Sequence, residues 1–182
     1  SEYTEELKRI YLTLAARKTP QTILVTSAAT GEGKSTVAFS LAQYLSSIKA
    51  RAIIVDADTL NPCIATLAGT DVPPGFAELM ASATDYTKAV KRDGGNLAVI
   101  PSGDSDRYSV DILSSGAFGQ MLETLKSQYD YVIIDCASAL ATTDAEVIAS
   151  QVDHVILVVS WAKTAKKKLR NVAEILRQHA RD

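Results

Sequence analysis

The sequence predicts an α/β protein of three layers, a mostly parallel central sheet with helices on both faces. Three observations predict it. Apolar runs rich in β-branched residues (Ile23–Val25, Ala52–Val55, Tyr131–Ile134 and His154–Ser160) alternate with stretches of helical periodicity, the pattern of strands joined by crossover helices. The first run leads through a loop, Gly31-Glu32-Gly33-Lys34-Ser35-Thr36, straight into a helical pattern. The second and third runs each end in aspartate, Asp56 and Asp135, and ligands of such sheets bind at the carboxyl ends of the strands.

Composition bounds the rest. With 182 residues, 47% hydrophobic and 22% charged, the chain fits one folded domain, residues 1–182. A net charge of −2 supplies no basic field, so no nucleic-acid partner is expected. Cys63 and Cys136 lie far apart without metal-ligand spacing, which suits a reducing interior. No apolar run approaches the length needed to cross a bilayer, and no signal peptide opens the chain. The chain starts at Ser1 without methionine, so a piece of something longer is expected.

Residues 1–18 hold an amphipathic helix, Glu2–Ala16, in which Leu7, Ile10, Tyr11 and Leu14 recur at helical spacing and Glu5 supports Arg9. Thr19-Pro20 ends it. Such a helix either packs on the sheet or serves self-association, and periodicity alone leaves both open.

Ile23 to Thr36 then passes from strand through loop to helix (Val37, Phe39, Leu41, Ala42, Leu45), the context that makes a phosphate-binding loop credible. Gly31 and Gly33 let the backbone turn tightly and approach an anion. Amides of the loop and first helical turn face the phosphates, together with the positive end of the helix dipole. Thr30, Gly31, Glu32, Gly33, Lys34, Ser35 and Thr36 are therefore the expected nucleotide-binding residues. Lys34 supplies a point charge for the terminal phosphates, and the Ser35 hydroxyl is placed to ligate Mg2+. Ala28 stands where the first glycine of G-x4-G-K-S/T belongs.

Arg51 to Asp58 is a strand that delivers two carboxylates, Asp56 and Asp58, on one side of the chain by period two. There they can divide labour, one holding Mg2+ and one accepting a proton, or they can cap the following helix. Asn61 to Gly95 reads as loop with two short helical stretches between Pro and Gly breakers. Leu97–Pro101 is a short strand, and Ser102–Tyr108 a polar, mobile segment. Ile112–Ser127 reads as one helix despite Gly116 and Gly119. Tyr131–Asp135 repeats the apolar strand ending in aspartate and resembles a Walker B segment, whose Asp holds the Mg2+ shell; a capping Asp is the other reading. Ala145–Gln151 is helical. His154–Ser160 is an apolar strand of the kind found where both sheet faces are covered.

Lys163–Arg181 closes the chain as a helix bearing Lys163, Lys166, Lys167, Lys168, Arg170 and Arg177. It is read as a solvated face, with an anionic surface or acidic partner as the alternative. His154 and His179 are read as structural.

With Ser27–Thr36, Val55-Asp-Ala-Asp-Thr-Leu-Asn-Pro62 and Val132-Ile-Ile-Asp135 in place, the chain resembles the bacterial tyrosine kinases. These BY-kinases are cytoplasmic domains of polysaccharide co-polymerases that govern capsule and exopolysaccharide export, within the deviant P-loop ATPase class and its P-loop NTPase fold. The likeness extends to Pro74-Gly75-Phe-Ala-Glu-Leu79, Val110–Ser115 and Thr143–Val147. The resemblance implies ATP or ADP with Mg2+, Asp56 as base beside Lys34, and Ser35, Asp58 and Asp135 around the metal. It also implies ring-like self-association and a membrane-spanning partner or N-terminal segment at the cytoplasmic face of the membrane. The sequence departs from the family at Leu60, where Arg is usual. It departs again at Cys136-Ala137-Ser138, which replaces Thr-Pro-Pro, and at Glu2, Glu5 and Lys8, which occupy the Glu-x2-Arg-x2-Arg pattern. Its seven tyrosines are scattered instead of forming a tail cluster. Two other readings stay open. One is a partition-type switch ATPase, against which Ala29 stands at the position of that class's second lysine. The other is a nucleotide-binding regulator without transfer activity, which the altered segments favour.

Overall fold

The computed structural model describes residues 2–82, 84–104, 110–161 and 164–180. Helix α1 (Glu2–Ala15) precedes β1 (Gln21–Ser27), and α2 (Lys34–Ser47) leads to β2 (Ala52–Asp56). Three short helices follow: α3 (Ile64–Ala68), α4 (Phe76–Met80) and α5 (Tyr86–Ala89). Then come β3 (Lys91–Arg92), β4 (Ala98–Ile100), α6 (Val110–Ser114), α7 (Ala117–Lys126), β5 (Tyr131–Asp135), α8 (Asp144–Ala149), β6 (His154–Val158) and α9 (Lys166–His179).

The strands lie in one sheet in the order β3-β4-β2-β5-β1-β6. Every pairing is parallel except β3 with β4. Alternation of side chains splits the apolar residues into two clusters, one on each face. Ile23, Val25, Ile54 and Ile133 join α1, α2 and α3 on one face. Leu24, Ile53, Val55, Val132 and Ile134 join α4, α7, α8 and α9 on the other. Each such fully buried side chain contributes about 1.5–3 kcal/mol. Phe76 and Phe118 meet edge to face at 6.3 Å across α4 and α7, an arrangement that aromatic quadrupoles favour.

Register sets the site. Asp56 pairs with Asp135 across β2 and β5, so both carboxylates leave the same rim on the face that carries α2.

Four expectations are corrected. Ile112–Ser127 is two helices, because Gly116 takes a left-handed φ of 89° and caps α7. The 61–95 stretch contains a third helix, α5, and the two-residue antiparallel strand β3. The strand from His154 ends at Val158 and is only half-buried along its length, because it lies at the edge of the sheet. The segment from Ser102 begins anchored: its carbonyl accepts the Ala77 amide at 2.9 Å, and the Asp104 amide donates to Glu78 at 2.9 Å. Residues 105–109, with Tyr108, lie outside the described residues, as do Lys163 and Arg181.

Of the two readings of α1, packing is visible. Leu7 and Leu14 are buried and Tyr11 contacts Tyr44 edge-on at 5.9 Å. Leu12, 66% exposed, faces away.

Candidate nucleotide site

The loop between β1 and α2 turns through two left-handed residues, Gly31 at φ 81° and Gly33 at φ 84°. Gly33 is the N-cap of α2 and provides no side-chain cap, so the first-turn amides stay available to an anion. Ala28 is tolerated where a glycine is customary for a simple reason. It is fully buried in the core and its φ is not positive, so a Cβ is accommodated there.

A cleft of about 350 Å³ opens over this loop, lined by Thr30, Gly31, Gly33, Lys34, Ser35 and Thr36, with Asn61 and Cys63 from the β2–α3 turn. Asn61 and Cys63 were not anticipated from the sequence. Their only signal was position, a few residues past a strand that ends at the ligand rim. Glu32 behaves differently from its neighbours. Its carboxylate accepts the Ala29 amide at 2.8 Å, the Ser160 amide at 3.2 Å and the Thr164 hydroxyl at 2.5 Å. Burial raises its pKa, but these donors outweigh that and hold it below the usual value. Glu32 thus ties the loop to the β6–α9 connection.

Lys34 donates to Asp58 at 2.5 Å and to Ser35 Oγ at 3.1 Å. Burial works against its charge, yet the Asp135 and Asp58 carboxylates outweigh this and raise its pKa. The other oxygen of Asp58 accepts the Leu60 and Asn61 amides at 3.2 and 2.9 Å. Asp56 is fully buried and accepts amides from Asp58, Cys63 and Ile64 at 3.0–3.1 Å. It therefore also orders the turn into α3, as the capping reading foresaw. Burial, then the Asp135 charge, push its pKa up to about 7 against the pull of those amides.

Asp135 is the exposed chemical question of the site. It is fully buried, and neither carboxylate oxygen has a hydrogen-bond partner. Burial raises its pKa to about 6, although Lys34 and the nearby Ser35 hydroxyl oppose the rise. The Ser35 hydroxyl is near enough to favour the anion without satisfying either oxygen. A carboxylate buried without donors is costly unless something binds it. Among the described residues no three His, Cys, Asp or Glu side chains form a ready-made metal cage. Mg2+ needs none, since it takes one or two carboxylates with phosphate oxygens and water. The residues present fit that ion.

A phosphate loop on the α2 face of a mainly parallel sheet, with two aspartates ending adjacent strands, defines a P-loop NTPase domain. The chain belongs to the AAA domain family, which matches residues 20–181. Among curated relatives it is 27% identical over 154 residues to the succinoglycan biosynthesis transport protein ExoP of Rhizobium meliloti, covering 82% of this chain and 20% of that one. It is 29% identical over 158 residues to the tyrosine-protein kinase CpsD of Streptococcus agalactiae, covering 86% and 69%. Among solved structures, the kinase domain of the Escherichia coli tyrosine kinase ETK superposes with a TM-score of 0.89 at 25% identity, covering 96% of this chain and 70% of that one. The expected resemblance to bacterial tyrosine-kinase domains stands.

Proposed function

We propose that the chain is an ATP-binding tyrosine autokinase domain that transfers the γ-phosphoryl group of MgATP to protein tyrosines. It would regulate capsule or exopolysaccharide synthesis and export from the cytoplasmic face of the membrane, with a membrane-spanning activator or membrane segment and ring-like self-association. No helix among the described residues is long and apolar enough to cross a membrane. The observation that carries the reading is the convergence of Lys34, Asp56, Asp58 and Asp135 beside the phosphate loop.

ATP supplies the phosphoryl group when bound, and Mg2+ neutralises charge on its oxygens. Loop amides and the α2 N-terminus hold the phosphates. Lys34, released from Asp58, stabilises charge developing in transfer. Asp135 and Ser35 would hold the metal, with Asp58, paired to Lys34 here, as a further candidate ligand. Asp56, with a pKa near 7, is matched to accepting the tyrosine proton at neutral pH.

One observation favours a second reading, a nucleotide-binding regulator. Asp56 is fully covered, and both its oxygens are engaged by backbone amides. Incubating the full-length protein with γ-labelled MgATP separates the readings. Phosphotyrosine supports the kinase. Free phosphate alone supports a switch ATPase, and retained binding with neither product supports the regulator.

A further inference from the structure

At the other end of the strands, a second cleft of about 390 Å³ lies among the segments that enter β2, β4 and β5. Five residues of β2, about 16 Å at 3.3 Å per residue, separate this edge from the rim that carries Asp56. Its volume falls in the range of small-ligand sites, roughly 300–1,000 Å³. Lys49, Arg51, Arg92, Asn96, Gln128 and Tyr129 line it.

The charges there do not cancel. Arg51 is taken up by Asp130, which accepts its guanidinium at 2.8 and 3.3 Å. Among the described residues neither Lys49 nor Arg92 has an ion pair. Arg92 uses one N–H on the Asn96 carbonyl at 2.9 Å, and a guanidinium carries five. Two positive charges thus share one cleft on a chain whose net charge is −2.

The helix ends nearby do not require these cations. Amides of Ile48, Lys49 and Ala50 already close the last turn of α2, donating to Tyr44, Ser46 and Leu45 carbonyls. Amides of Ser127, Gln128 and Tyr129 do the same for α7. Lys49 is also an unusual residue for its place. It sits at φ 67° just past the α2 C-cap, where glycine or asparagine is the normal choice. Lys49 thus lines the cleft at a backbone position that disfavours a lysine.

We propose that this cleft is a second binding site, separate from the phosphate loop, for a small sugar phosphate. Lys49 and the fork of Arg92 take the phosphate, since planar guanidinium geometry matches paired phosphate oxygens. Asn96 and Gln128 supply amides to sugar hydroxyls, and Tyr129 offers an aromatic wall to the ring.

The test is calorimetric titration of glucose 1-phosphate and N-acetylglucosamine 1-phosphate into the full-length protein saturated with ADP and Mg2+. One-to-one saturable binding of at least one probe is expected, weakened about tenfold or more by Arg92→Ser and by Lys49→Asn. Asparagine tolerates the left-handed turn, so the second variant removes charge while keeping the backbone. Lys34→Met leaves the probe's affinity unchanged, which separates this site from the phosphate loop. Absence of saturable binding overturns the proposal, as does affinity indifferent to both cleft variants or lost in Lys34→Met. Inorganic phosphate binding as tightly as the sugar phosphates also overturns it, because the cleft would then hold an adventitious anion only.

Discussion

Replacing Asp135 with asparagine should make the nucleotide-free protein more stable while abolishing the Mg2+-dependent transfer proposed for it. The Asp135 side chain is buried with no donor on either oxygen, and its pKa rises from 3.8 to about 6. Each tenfold change in acidity is worth ~1.4 kcal/mol, so the anion costs the folded state ~3 kcal/mol at neutral pH. Asparagine removes that charge but leaves a buried amide lacking partners, which takes back ~1 kcal/mol or more. The net gain is ~1–2 kcal/mol, or about 2–8 °C in Tm for a domain of this size. The pH dependence identifies the cause. Below 3.8 the carboxyl is protonated in both folded and unfolded chains, the cost of the anion is gone, and the variant has no advantage, its buried amide leaving it about 1 kcal/mol less stable than wild type. As pH rises towards about 6, the unfolded wild type releases its proton first and wild-type stability falls. Above about 6 the gap is full. Denaturant unfolding at pH values from 4 to 8 reads this directly. A gap absent at pH 7, or equally large at pH 4, would show that the buried Asp135 anion is not what destabilises the wild type. Adding MgATP should invert the order, since only the wild type gains from binding.

Other perturbations follow from the same geometry. Lys34→Met should lower phosphoryl transfer at least ~100-fold, measured as phosphotyrosine, whereas Cys136→Ala, in the core behind the site, should leave transfer within about twofold once folded protein is compared. The kcat/KM for transfer should rise with pH through the neutral range as Asp56, at about 7, loses its proton; a profile flat from 6 to 8 would remove Asp56 as base. Gly75→Ala should destabilise by ~1–3 kcal/mol in thermal unfolding, because a Cβ there would lie 2.2 Å from the Pro101 carbonyl oxygen.

The sequence made the site's ingredients legible because each depends on local pattern. A strand, two positive-φ glycines and a helix start lie within fourteen residues, Ile23 to Thr36. The apolar runs that deliver Asp56 and Asp135 are equally local. What stayed hidden was long-range. Apolar runs do not reveal strand order, so the half-buried edge position of His154–Val158 could not be told from a central one. Nor could sequence spacing show that Glu32 reaches Ser160 and Thr164 instead of the phosphate cleft. Gly116 was visible, but whether a glycine is absorbed by a helix or ends it depends on tertiary packing. The amides on Asp56 come from a turn whose path no periodicity describes, so sequence spacing left its part in starting α3 as one alternative of two.

The proposed transfer is measured most directly in a single-turnover reaction of γ-labelled MgATP with the full-length protein and its Asp56→Asn variant, nucleotide binding being checked in both. Label on tyrosine is expected in the wild type, and none in a variant that still binds ATP. Label on tyrosine at equal rates in both, or label released only as free phosphate by the wild type, would contradict this expectation.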